Sequence, residues 1–172
     1  MILNSDFYLY NPLWERADKE LCSKDGVGLF GRLIDVFLIA CAIGIKEDKR
    51  CPDEDGASLC KTIGRNTYTS LKNTDLQDGI DFMLQNALIN SDTINYDMDE
   101  RLRLAFDPDY SDKKLSGTLM LVEFANYGIE KIFSAVDNAP ALAVIDDINM
   151  YLDKMCDFDF DLLLSQLTLE DI

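Results

Sequence analysis

The chain has no histidine among its 172 residues. That removes the side chain used most often as a general base near neutral pH, the usual Ser-His-Asp triads and most catalytic zinc sites. Cysteine does not fill the gap. The five cysteines (Cys22, Cys41, Cys51, Cys60 and Cys156) are odd in number and include no C-x-x-C pair. Their spacing argues against a thiolate metal cluster, and the missing secretory signal points to reduced thiols in a cytoplasmic protein. There is no G-x-x-x-x-G-K-[ST] loop and no G-x-G-x-x-G turn, which leaves nucleotide binding without a motif. "GVGLFG" (Gly26 to Gly31) leads into a helical stretch, but it lacks the lysine and the preceding strand of a phosphate loop.

Positive charge is scarce. Sixteen Lys and Arg stand against 32 Asp and Glu, a net charge of −16. Such a chain repels nucleic acid and anionic membranes at long range, so neither direct binding of duplex DNA nor membrane attachment is expected. Long apolar runs are missing too. The longest, Val36 to Ile45, is too short to span a bilayer, and "MILNSDFYLY" has no basic n-region or long apolar core of a signal peptide.

What is present is helical periodicity, at a length that suits one domain, 1–172. Asn11-Pro12 reads as a helix start, followed by Leu13, Ala17 and Leu21 in an apolar stripe. From Leu29 to Ile45 apolar residues lie on nearly every face, which predicts a central core helix. Gly44 is expected to close that helix as a left-handed cap, with Lys46 near the negative end of its dipole. Thr62 to Leu71 leans towards strand. Thr74 and Gln77 make a capping box before a helix with Leu76, Ile80, Met83, Leu84, Ala87 and Leu88 on one face. Arg101 to Phe106 reads as a short helical piece. Leu115, Thr118, Val122, Ala125, Ile129, Ile132 and Val136 alternate spacings of 3 and 4, the signature of a helix packed on another helix. Asn138 and Pro140 start a further helix with Leu142, Ile145, Ile148, Leu152 and Met155 inward. The fold class expected is mainly α: a compact single-domain helical bundle around a buried central helix, with room for one small β element.

Two stretches are candidates for contact with a partner. Lys46, Lys49 and Arg50 make the most basic turn of an acidic molecule, at the end of its most buried helix; Lys61 and Arg65 follow nearby. Helix-end compensation and local ion pairs also account for such a turn. At the other end, 157–172 is acidic and apolar together. Asp157, Asp159 and Asp161 interleave with Phe158 and Phe160, a pattern that suits a basic-rimmed groove or, equally, packing on the parent domain or a frayed end. "DEDG" (Asp53 to Gly56) and "DFDFD" (Asp157 to Asp161) are the densest carboxylate runs, and neither has the ligand pattern of a calcium loop. No catalytic, cofactor-binding or metal-ligating residue is assigned.

"GRLIDVFLIACAIGIKEDKRCP" (Gly31 to Pro52) and "VEFANYGIEKI" (Val122 to Ile132) together resemble the DNA phosphorothioation (Dnd) system-associated protein 4-like family of small prokaryotic defence-island proteins. In that family a D-V-F core helix ends in Gly before a short Lys/Arg-rich turn and Pro. A later helix carries E-E-Y-A-N-G-G-L. Glu123, Ala125, Asn126 and Gly128 match the second motif, while Phe124 replaces its tyrosine and Tyr127 its first glycine. The resemblance implies antiphage defence in the cytoplasm, as a subunit of an assembly. With no catalytic or cofactor motif in the chain, the function expected is that of a non-catalytic accessory or adaptor subunit that works through protein partners, with no cofactor. The alternative is an acidic inhibitor or DNA mimic, including one encoded by a phage, that blocks a nucleic-acid-binding protein.

Overall fold

Five helices and one two-stranded sheet make up the described residues of this computed structural model, which are 3, 5–22, 28–69, 74–107, 110, 112 and 115–138. The elements run β1 (Phe7–Leu9), α1 (Leu13–Glu20), α2 (Leu33–Glu47), β2 (Lys61–Ile63), α3 (Thr74–Asn90), α4 (Met98–Phe106) and α5 (Gly117–Asn138). The fold is mainly α with one small β element. Contacts divide the chain into two units, Met1–Ile132 and Phe133–Ile172. Of the second, only Phe133–Asn138 at the end of α5 belongs to the described residues. The helix expected after Asn138, and the candidate contacts Asp157, Phe158, Asp159, Phe160 and Asp161, lie outside them. Among the described residues no helix is long and apolar enough to cross a membrane.

The sheet forms where sequence reading looked for strand on one side only. β2 occupies the start of the β-leaning stretch and pairs antiparallel with β1, Phe7 opposite Ile63 and Leu9 opposite Lys61. In β1 the side chains alternate: Phe7 and Leu9 are buried and Tyr8 between them is exposed. That alternation delivers Phe7 to an aromatic cluster, with ring centroids 4.6 Å from Phe37 of α2 and 5.3 Å from Tyr68. Trp14 of α1 joins at 5.9 Å from Phe37. All four rings are fully buried, so strand, first helix and central helix share one apolar centre. Trp14 and Ala17 of α1 and Leu21 just after it form the buried stripe, with Leu13 only partly covered.

α2 departs from expectation at both ends. It begins at Leu33, after Gly31 and Arg32, and Leu29 is exposed. Gly44 does not end it. The helix continues for three more residues, and the left-handed residue is Asp48, at φ 49°. The Lys49 amide donates to the Gly44 carbonyl at 3.0 Å and the Asp48 amide to Ile45 at 3.1 Å, which closes the last turn. Asp48 is held in this conformation by its own carboxylate, which accepts from the Asp92 amide at 2.9 Å.

Gly44 serves a different purpose. A Cβ there would lie 2.9 Å from the Cα of Phe124 in α5 and closer still to its carbonyl group. The relation is reciprocal: a Cβ on Gly128 of α5 would lie 2.7 Å from the Cα of Ala40 and closer to its carbonyl. Ala40 and Gly44 are one turn apart, as are Phe124 and Gly128, and the pairs run in opposite order. The two helices therefore cross antiparallel with backbone against backbone, through positions where no side chain fits. A glycine near the end of an apolar run can cap a helix or admit a neighbour, and sequence spacing alone does not separate the two uses.

α3 buries Ile80, Leu84, Ala87 and Leu88. Gln77 does not reach back to Thr74 as in a capping box. Its amide donates to the Leu3 carbonyl at 3.4 Å and to Asp81 at 3.0 Å. α4 starts three residues earlier than the expected helical piece, because Asp97 caps it by accepting from the Glu100 amide at 2.8 Å. Arg101 then ties α4 to the end of α3. Its guanidinium donates to the carbonyls of Ser91 at 2.8 Å, Tyr96 at 2.9 Å, Ile89 at 3.4 Å and Ile94.

Glycine substitutions separate these roles. Gly44→Ala and Gly128→Ala should each lower stability by about 3 kcal/mol, the upper end of overpacking costs, because the obstacle is backbone that cannot turn aside. Gly79→Ala, inside α3 with nothing within 4 Å of its Cβ position, should raise stability by about 0.5–1 kcal/mol. Urea midpoints of the three variants, at unchanged m-value, check this.

Candidate functional site

The crossing of α2 and α5 places the loop that follows α2 along one side of α5. Three backbone and side-chain links fix it there. The Cys51 amide donates to the Glu123 carbonyl at 2.9 Å. Arg50 turns inward, donating to Glu123 at 3.2 Å and to the Thr93 carbonyl at 2.7 Å, with its guanidinium 5.9 Å from the centre of the Phe124 ring. Asn126, buried on an otherwise apolar helix face, donates to the Cys51 carbonyl at 3.2 Å and to Asp53 at 2.8 Å. Its own oxygen accepts from the Trp14 indole at 2.9 Å. One amide thus joins α1, α5 and the loop, and every one of its polar positions named here is engaged.

The basic turn is therefore divided. Lys46 and Lys49 are exposed, while Arg50 is half-buried and tied to Glu123 and Thr93. Lys49 approaches Tyr127, 5.6 Å from the ring centre. Lys131 approaches the same ring at 5.3 Å, and the Tyr127 hydroxyl donates to Glu47 in the last turn of α2 at 2.5 Å. The hydrogen bond with Tyr127 holds the Lys131 ammonium above its ordinary pKa. Lys61 lies apart from this group and is paired with Asp18 at 2.6 Å. Arg65 sits in a short 3-10 turn, where its backbone amide donates to Asp6 at 2.7 Å. Lys46, Lys49 and Arg50 thus share one turn but not one set of partners, and Lys61 and Arg65 are engaged elsewhere, with Asp18 and Asp6.

Beside the turn lies a cleft of about 440 Å³ that sequence reading did not anticipate. The segment before α1, the loop after α2 and one face of α5 line it, with Asp53, Glu54, Glu130, Cys51 and Cys60 as its functional groups. Neither cysteine is prepared to attack. Burial raises the Cys51 thiol, and the Glu130 carboxylate, 3.6 Å from the sulfur, raises it further, as do Asp53 and Glu123. Burial and then Glu15 and Asp53 do the same at Cys60, which donates to the Tyr10 carbonyl at 3.0 Å. Both are neutral hydrogen-bond donors at neutral pH, and a thiolate is what nucleophilic or metal-binding cysteine requires. Among the described residues no group of three or more Cys, Asp and Glu side chains is placed to hold a metal ion. The cleft offers acceptors for a cationic or hydrogen-bond-donating group. The signal that could have found it was Asn126: an amide amid apolar helix residues needs polar partners.

Glu123 carries the clearest electrostatic tension. Burial raises its pKa; Arg50 opposes this and Asp53 adds to it, leaving a net upward shift. A carboxyl that ionises less readily folded than unfolded stabilises most where it is protonated in both states. That contribution is lost as pH rises through the folded-state pKa, above the ordinary glutamate range. The melting temperature of Glu123→Gln, compared with wild type, should therefore move in the variant's favour across that interval and level off above it. A constant difference from pH 4 to pH 8 would contradict the assignment.

Comparison of the chain with protein-family models, curated proteins and solved structures gives no match.

Proposed function

We propose that the chain is a non-catalytic accessory or adaptor subunit of a prokaryotic antiphage DNA-targeting defence system, acting by protein–protein contact in the cytoplasm. The observation that carries the reading is how the two stretches with the Dnd-associated resemblance meet. Gly44 packs on Phe124 and Gly128 on Ala40, Arg50 pairs with Glu123, and Asn126 holds the loop at Cys51 and Asp53. Residues matching the motif serve as a framework, which supports a shared scaffold more than a shared chemistry. The framework presents Lys46 and Lys49 at the rigid end of α2, on an acidic molecule, where charge contrast favours recognition by a partner.

The second reading, an acidic inhibitor or DNA mimic, is favoured by the net charge of −16. The two differ in what binding excludes: a mimic competes with DNA for its target, and an adaptor does not.

Lys46→Glu/Lys49→Glu tests the adaptor reading at two exposed positions and leaves Arg50, Glu123 and Asn126 unchanged. The double variant should keep the wild-type melting temperature within a few degrees and lose co-purification with the products of neighbouring genes, most at low salt, since exposed charges act chiefly on association rate and salt dependence. Arg50→Glu is the contrasting control. It faces Glu123 and leaves the Thr93 carbonyl without its donor, so it should cost about 1–3 kcal/mol. Unchanged association of the folded double variant at every salt concentration would remove the turn from the interface. Loss of the partner on addition of duplex DNA would favour the mimic.

A further inference from the structure

α4 carries an apolar stripe on its solvent side. Met98, Leu102 and Phe106 recur at every fourth residue and are 53%, 42% and 59% exposed, so they form one continuous ridge along the helix. α3 adds to it. Phe82, 58% exposed, lies one turn before Gln85, whose amide donates to the Ala105 carbonyl at 3.3 Å. Arg101 reaches the Ile89 carbonyl, so the two helices run antiparallel with Phe82 towards the Phe106 end. Single exposed apolar residues are ordinary; four large ones on two adjoining helices, two of them phenylalanine, are the composition of an interface core. Neither helix needs these side chains for its own packing, which uses Ile80, Leu84, Leu88, Leu104 and Ala105.

The charges around the ridge identify the occupant. Asp78, one turn before Phe82, is exposed, as are Asp75 on the same helix and Asp97 and Asp99 at the start of α4. Among the described residues of α4, the exposed Arg103 is stacked 4.1 Å from the centre of the Tyr110 ring. A second copy of the chain would bring identical acidic rims together, and an anionic membrane would be repelled in the same way. We propose that the α3–α4 face is a docking surface for an amphipathic helix of a partner protein, with an apolar stripe seated between the two helices and lysine or arginine on its flanks. Ridges of two packed helices form a groove of the shape that accepts a third helix, and the acidic rim selects a basic one. This face is separate from the turn at the end of α2 and does not depend on the defence reading.

The test uses the full chain and a synthetic helical peptide of leucine and lysine, with one leucine stripe, followed by titration calorimetry. A peptide of equal charge with serine in place of leucine is the control. Wild type should bind the leucine peptide with a Kd in the micromolar range and the serine peptide at least tenfold more weakly. Phe82→Ser/Leu102→Ser/Phe106→Ser should lose at least tenfold in affinity for the leucine peptide with its melting temperature nearly unchanged. Leu102→Lys alone, a substitution that favours helix and sets a like charge in the groove, should weaken binding in the same direction and serves if the triple variant does not fold. Equal binding of wild type and folded variants would overturn the proposal, because attraction would then be charge alone. Self-association of wild type that these variants abolish in sedimentation would overturn it in favour of a second copy.

Discussion

Two helices of this protein touch backbone to backbone, and most of what surrounds them is fixed by that contact. Gly44 and Gly128 each stand where any side chain would overlap the opposite helix. The neighbours on either side, Phe37, Cys41, Leu121, Phe124 and Ala125, are fully buried. On α2, Gly44 and Ala40 meet α5 and Phe37 meets both the ring of Phe7 and the indole of Trp14, while Leu38, Ile39, Ala42 and Ile45 remain partly exposed despite their apolar character.

The crossing also sets the polar chemistry. Because α5 lies so close, the chain leaving α2 must run along it, and its polar backbone needs partners. Asn126 and the Glu123 carbonyl supply them. Arg50 is drawn into the same layer and brings a positive charge to Glu123, whose burial would otherwise be more costly. Burial first, and the neighbouring carboxylates in addition, keep the thiols of Cys51 and Cys60 protonated. An electropositive surrounding would have made them reactive; this one makes them hydrogen-bond donors.

The periodic helices were legible in the sequence because burial repeats at helical spacing. Ile80, Leu84, Ala87 and Leu88 of α3, and Val122, Ala125, Ile129 and Ile132 of α5, are buried as their spacing predicts. The β element was half legible: Lys61–Ile63 lies at the start of a β-leaning stretch, but its partner Phe7–Leu9 is three residues long, too short for alternation to stand out. The use of Gly44 was not legible, since close packing depends on Phe124, eighty positions away in sequence. The basic turn was found, yet its division into exposed lysines and an inward arginine depends on Glu123 and Thr93, which only the folded chain brings near. The cleft was missed for the same reason, its walls coming from three separate segments.

Native-state hydrogen exchange measures the central claim directly, because it reports the free energy of opening at each amide. If the crossing of α2 and α5 is what the rest depends on, the amides of Ala40–Gly44 and Phe124–Gly128 should exchange only through global unfolding, with one common free energy equal to that from urea denaturation. Amides of α4, joined to the remainder through fewer buried side chains, should open at lower cost. Exchange of the α2 amides at a free energy well below the global value, while α3 or α4 stays protected, would contradict the account.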